Sequence, residues 1–280
     1  MIPLLLTIIC STSIALILKY SDTRKGNPVL LLCGNYFTAS LISLILFIAQ
    51  ENIVYSTETF LFGVVLGLFF FLGFFAFAKA VSTAGASLSA VSSRLSVIIP
   101  IVLSIIIFGE IPSYFQLSGI ILALLTILLF YFSIRKFSSG SFHKADYIFL
   151  FALLIGIGIN DFCFKIFQNW RPAEENNFFI LTIFSFAFIY SFSYILLKKV
   201  KFKTGTVTTG IILGVPNVFS SYFMLDALNQ LPGIIVYPSI NIGIIVLTTL
   251  AAFLIWKEEL NGYGWWAMGF GVTAIFLVSI

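Results

Sequence analysis

An all-helical membrane protein of ten spans, built as two inverted-topology repeats of five, is the fold class this sequence predicts. Three observations predict it. Hydrophobic residues make up 60% of the 280 and charged residues 9%, with a mean hydropathy of +1.10, whereas soluble domains carry roughly 25% charge. Apolar runs of bilayer-spanning length recur ten times. The few charges fall mostly in every second gap between those runs. A membrane barrel would instead need roughly ten-residue segments of alternating polarity, and continuous apolar runs such as 60–77 and 98–108 are the opposite pattern.

The spans fall at 2–18, 29–49, 59–79, 86–108, 114–133, 147–166, 178–197, 206–226, 233–255 and 263–280. The first starts without a basic leader or a small-residue cleavage site, and Ile9 before Cys10 is unlike a lipoprotein signal, so it is expected to remain as a helix. The fourth opens on serines and carries Pro100, which removes a backbone donor and can kink a helix. Gly109-Glu110-Ile111-Pro112 precedes the fifth, and Lys257-Glu258-Glu259-Leu260 precedes the tenth. Acidic residues there suit the positive end of a helix dipole, and Pro112 suits a first turn. All connections are short, which leaves no room for an extramembrane domain.

The most linker-like connection, Arg135 to Lys144, divides the chain into a repeat over 1–138, a loop at 139–145 and a second repeat over 146–280. Five spans is an odd number, so the second half enters the membrane from the opposite side. Traces of a duplication remain. Arg94 and Glu110 are 16 residues apart, Asn241 and Glu258 are 17 apart, Lys19 corresponds to Lys165, and Lys79 corresponds to Asp226.

Of 15 lysines and arginines, the odd-numbered gaps take Lys19, Arg24, Lys25, Lys79, Arg135, Lys136, Lys144, Lys198, Lys199, Lys201, Lys203 and Lys257. Even gaps take Lys165 and Arg171. The positive-inside rule then makes the odd gaps cytoplasmic and both termini external.

Several function classes drop out. The net charge of +4 is scattered rather than clustered with aromatics, which argues against nucleic-acid binding. Cys10, Cys33 and Cys163 lie inside spans without CxxC spacing, so no disulfide framework, metal or other cofactor is indicated. An enzyme is not expected: the one histidine, His143, is in a loop, no HExxH occurs, and the acids lack a GxGD context. The 33 phenylalanines read as lipid-facing surface rather than as an aromatic-substrate pocket.

Ionisable groups inside a span cost about 2.5–3.5 kcal/mol each on the insertion scale, which makes them functional candidates. Arg94 lies deepest, beside the face formed by Ser89, Ser93, Ser96 and Pro100, where it could bind an anionic group or pair with a carboxylate. Asp161 stands four residues before Lys165, the order that favours an intrahelical pair; alternatively it binds a substrate amine or takes up a proton. Gly156 and Gly158 read as close-packing positions. Asn160, Asn217 with Ser220 and Ser221, Asn35 with Thr38, and Tyr237, Ser239 and Asn241 around Pro238 complete the polar set. Intramembrane asparagines either glue neighbouring helices or contact ligand. The candidate substrate-binding residues are therefore Arg94, Ser93, Ser89, Asn35, Asn160, Asp161, Asn217, Asn241 and Tyr237. Asp226 lies nearer a helix end.

On its ten spans in two fives, the short connection from Lys79 to Ala86, and the run Pro100, Gly109-Glu110, Gly119, the chain resembles the drug/metabolite transporter superfamily, in its ten-helix EamA-like branch. The second half departs from the pattern, with no proline in 245–249 and Lys257 where the first half has Gly109. The resemblance implies a secondary transporter, an exporter or exchanger of a small polar metabolite such as an amino acid or organic anion. Transport would proceed by alternating access in the cell (inner) membrane, with coupled protons or a counter-substrate, as monomer or homodimer. It also implies cytoplasmic termini, against the charge count. A non-transporting membrane receptor or assembly protein is the alternative.

Overall fold

A computed structural model describes residues 1–23, 27–84, 86–135, 144–257 and 261–280. The expected loop at 139–145 falls largely outside them, as do Arg24, Lys25, His143, Glu258 and Glu259. The described chain is helical and without strands: α1 Ile2–Thr23, α2 Pro28–Ile48, α3 Thr57–Ala84, α4 in two segments Ala86–Leu95 and Ile98–Phe108, α5 Tyr114–Arg135, α6 Lys144–Trp170, α7 Asn176–Lys198, α8 Thr204–Gln230, α9 Gly233–Trp256 and α10 Gly262–Ser279. A 3₁₀ turn, Ala173–Glu175, leads into α7. Ten of the segments are long and apolar enough to cross a bilayer.

Local sequence explains most boundaries. Asn27 caps α2 by accepting from the Val29 and Leu30 amides at 3.0 and 3.3 Å, with Pro28 in the first turn. Asn261 caps α10 through the Gly264 amide at 3.0 Å. The interruption in α4 lies at Ser96–Val97 rather than at Pro100 itself. Pro100 has no N–H to donate to the Ser96 carbonyl one turn back, and the Ile99 amide takes that carbonyl instead at 3.0 Å.

The neighbour relations repeat between the halves. Helix α3 packs on α7 as α8 packs on α2; α6 lies against α3 and α4 as α1 lies against α8 and α9; α4–α5 is matched by α9–α10, and α3–α4 by α8–α9. The pairs α2–α7, α4–α9 and α5–α10 map onto themselves. Contacts α5–α9, α6–α8 and α7–α8 have no counterpart of similar extent.

Two glycine crossings make the correspondence atomic. A Cβ on Gly67 of α3 would stand 2.7 Å from the Ile183 carbonyl oxygen, 3.0 Å from Phe186 Cβ and 3.1 Å from the Ala187 nitrogen of α7. One on Gly214 of α8 would stand 2.5 Å from the Asn35 carbonyl oxygen, 2.6 Å from Thr38 Cβ and 3.2 Å from the Ala39 nitrogen of α2. Gly63 and Gly210 sit one turn earlier at the same crossings, so each helix presents a GxxxG edge that lets two backbones touch. Lys257, the departure from Gly109, adopts φ +54° against +66° for Gly109. Both end their helices in the left-handed region, one at the steric cost of a Cβ.

Phenylalanine is divided between two environments. Phe69, Phe132, Phe151 and Phe276 are exposed and read as lipid-facing, as expected. Phe167, Phe179 and Phe184 are instead among the most deeply buried side chains, and the rings of Phe167 and Phe179 stack 3.7 Å apart.

Candidate functional site

Helix α6 carries an acid and a base one turn apart, and the two do not pair. Lys165 turns to Glu110 in the α4–α5 connection at 2.9 Å, with side-chain exposures of only 7% and 13%. It also donates to Gln168 Oε1 at 3.1 Å and lies 5.8 Å from the Phe108 ring centroid. Glu110 is held further by α9, whose first amides, on Gly233 and Ile234, donate to Oε1 and Oε2 at 3.0 and 2.9 Å. The expectation that Glu110 serves its own following helix is thereby corrected. It caps α9, because the left-handed turn at Gly109 directs the chain back toward that helix end. Gly233 makes the approach feasible: a Cβ there would lie 2.8 Å from Ser104 Oγ and 3.4 Å from Glu110 Oε2. Burial pushes the Glu110 carboxyl up, but Lys165 and the two backbone amides outweigh it and hold it below the ordinary carboxylate value.

Asp161 is left for Arg94. The two are within electrostatic reach across the α4–α6 interface, without an ion pair under 4 Å, and each remains partly open although deep in the bundle. Arg94 occupies the last turn of the first α4 segment, immediately before the interruption. Ser96 Oγ donates to the Ser93 carbonyl at 2.6 Å and Ser92 Oγ to the Leu150 carbonyl of α6 at 2.6 Å. Gly158 permits this contact, since a Cβ there would stand 2.8 Å from the Ser96 carbonyl oxygen. The close-packing reading of that glycine fits this approach.

The other candidates sort into two groups. Tyr237 is 1% exposed and donates its hydroxyl to the Asp161 backbone carbonyl at 3.0 Å. Asn241 follows one turn later and donates to the Tyr237 carbonyl at 3.1 Å. Asn160 donates to the Phe69 carbonyl of α3 at 3.4 Å, and its buried Oδ1 has no hydrogen-bond partner. Ser93 is partly buried and Ser89 fully so, on the same segment as Arg94. Apart from these, Asn217 donates to Asn35 Oδ1 at 3.1 Å at the α2–α8 crossing, the glue arrangement, and Ser11 meets Ser220 at 2.7 Å nearby on α1 and α8. Asp226 is exposed at the end of α8.

Two features went unread in the sequence. One is the cluster around buried Glu175, which accepts from Ser56 at 2.9 Å, from Thr59, and from Arg171 at 2.7 and 3.1 Å. The other is the pair of GxxxG edges, whose identical placement in α3 and α8 was visible as spacing alone. No cluster of three metal-ligating side chains occurs among the described residues.

Comparison with known proteins bears on the whole chain. The model of the EamA-like transporter family matches residues 1–132. An uncharacterized protein of Haemophilus influenzae is 30% identical, over 98% of this chain and 96% of its own length. A protein crystal structure that is 16% identical superposes with a TM-score of 0.77, covering 99% of this chain and 94% of that one, and so shares the fold. With its ten apolar helices and paired five-helix packing, the chain belongs to the EamA-like transporter family and is a multi-pass membrane transporter of the drug/metabolite type.

Proposed function

We propose that this protein carries a small polar metabolite, an amino acid or organic anion, across the cell (inner) membrane by alternating access, with Arg94 and Asp161 at the centre of the substrate site. The observation that carries the reading is that Arg94 and Asp161, one from each half, lie within electrostatic reach of one another without forming an ion pair, while Lys165 and Glu110 nearby pair at 2.9 Å. Buried charges are costly unless paired and hydrogen-bonded. A guanidinium and a carboxylate held apart complement a solute with a carboxylate, or with a carboxylate and an amine. Asn160 Oδ1 adds an acceptor.

Five crossings in each half place corresponding helices antiparallel. The repeated packing relations are those expected of two inverted repeats that rock about a central site. Binding energy alone cannot concentrate a solute, so uphill movement needs a proton gradient or a counter-substrate, and Asp161 is the group assigned to that coupling. The charge bias of the odd gaps favours external termini.

The test is a panel of metabolites in proteoliposomes, with Arg94→Gln beside the parent chain. Saturable flux of one solute class, lost in the variant, supports the reading. Absence of flux for every solute in a folded preparation would leave the receptor or assembly alternative.

A further inference from the structure

Several polar ties between the halves lie at the end of the bundle that carries the even-numbered connections. Glu110 of the first half meets Lys165, Gly233 and Ile234 of the second. Ser56 and Thr59 of the first meet Glu175 of the second, Arg171 lies 3.9 Å from Glu58, and Asn177 donates to Gln50 at 2.7 Å. Beneath the Glu110 contact lie Ser104, fully buried, and Tyr237, whose hydroxyl sits on the α6 turn that runs from Asp161 to Lys165. Glu110 therefore joins the α4–α5 connection to α6 and α9 on the even-connection side of Arg94 and Asp161.

We propose that Glu110 and Lys165 form the latch of the gate at the even-connection end, clasping the start of α9 in the closed state and parting when the site opens to that side. The chemistry suits a reversible latch. A buried ion pair gains attraction but has lost the hydration of both charges, so its net contribution is modest. Opening returns water to both groups, and the two states then differ little in energy, as a cycling carrier requires. Glu175 is a fixed pin by contrast, since its Arg171 partner is on its own half one turn away. Tyr237 couples latch to site, because its hydroxyl binds the same α6 turn that carries Asp161 and Lys165. The proposal rests on the alternating-access reading above.

The experiment uses Ser104→Cys as a reporter in a full-length chain with Cys10, Cys33 and Cys163 replaced by alanine. It is reconstituted in nanodiscs and labelled with a charged maleimide. Lys165→Met keeps the side-chain length and leaves Glu110 with its two amides, so the fold persists; Glu110→Gln is the second variant. Either should speed labelling by about tenfold or more, because one partner of a buried pair has been removed. A companion chain keeps Cys33 as its sole cysteine, on α2 at the scaffold crossing, and its labelling should not change. Equal labelling rates at position 104 in parent and both variants overturn the latch, and so does a matching rise at Cys33, which marks general loosening. Solute flux is scored separately. Faster labelling without flux keeps the latch and removes the carrier reading, whereas flux with unchanged labelling does the reverse.

Discussion

One turn of α6 offers two charged side chains to the α4 region, and they are treated oppositely. Lys165 is locked to Glu110 at 2.9 Å, with Gln168 and the start of α9 completing the arrangement. Asp161, four residues earlier, faces Arg94 without closing, in a part of the bundle that stays partly open. The difference teaches which buried charges hold helices to one another in this state and which stay available. A pair whose every polar atom is answered stabilises one packing of the helices, whereas a pair held apart retains capacity for a solute.

The sharpest way to break this comparison is to neutralise the open pair. Arg94→Gln should lower the transport kcat/KM by on the order of a hundredfold, as expected when one partner of a desolvated charge contact is removed. The melting temperature should hold or rise, since an unsatisfied charge has gone. A matching fall in melting temperature would make Arg94 structural. Asp161→Asn should abolish uphill uptake while leaving exchange, measured with and without an imposed gradient; unchanged uphill uptake removes Asp161 from coupling.

A double-mutant cycle on Glu110 and Lys165 is the next largest effect. Stability measured by thermal unfolding should show coupling on the order of 1–3 kcal/mol between them, and the same cycle on Arg94 and Asp161 should show far less. Equal coupling in both would erase the distinction. Smaller again is Asn217→Ala, expected to cost about 0.6 kcal/mol, the usual worth of an interhelical hydrogen bond in a membrane. Transport surviving that change would place Asn35 and Asn217 in the scaffold and outside the site.

The smallest effect is the pH dependence of the latch. Glu110 has its carboxyl held below the ordinary value of 4.5, so its contribution is present above that pH and is lost as pH falls through the lower folded value. The stability difference between the parent chain and Glu110→Gln should stay flat from neutrality to pH 4.5 and shrink only in stronger acid. A difference that disappears near neutrality would contradict the sign.

Much of the molecule was legible before folding. Ten spans, helical character, and the polar composition of the fourth and sixth helices all follow from hydropathy and spacing. These are local properties, because a bilayer forces each apolar run of sufficient length to satisfy its own backbone as a helix. Partner choice was not legible. Asp161 and Lys165 have the spacing of an intrahelical pair, yet Glu110 takes Lys165, and Asp161 is left within electrostatic reach of Arg94. Glu110 stands at the head of α5, yet a left-handed glycine turns it onto α9.

Span count and helix identity were thus determined by the sequence alone, since each rests on contacts within a few residues or with lipid. Which charge answers which, and which asparagines hold helices together, were decided only by tertiary structure. Those outcomes depend on contacts between residues far apart in the chain, 55 positions for Glu110 and Lys165 and more than a hundred at crossings such as Gly67 on Ile183 and Gly214 on Asn35.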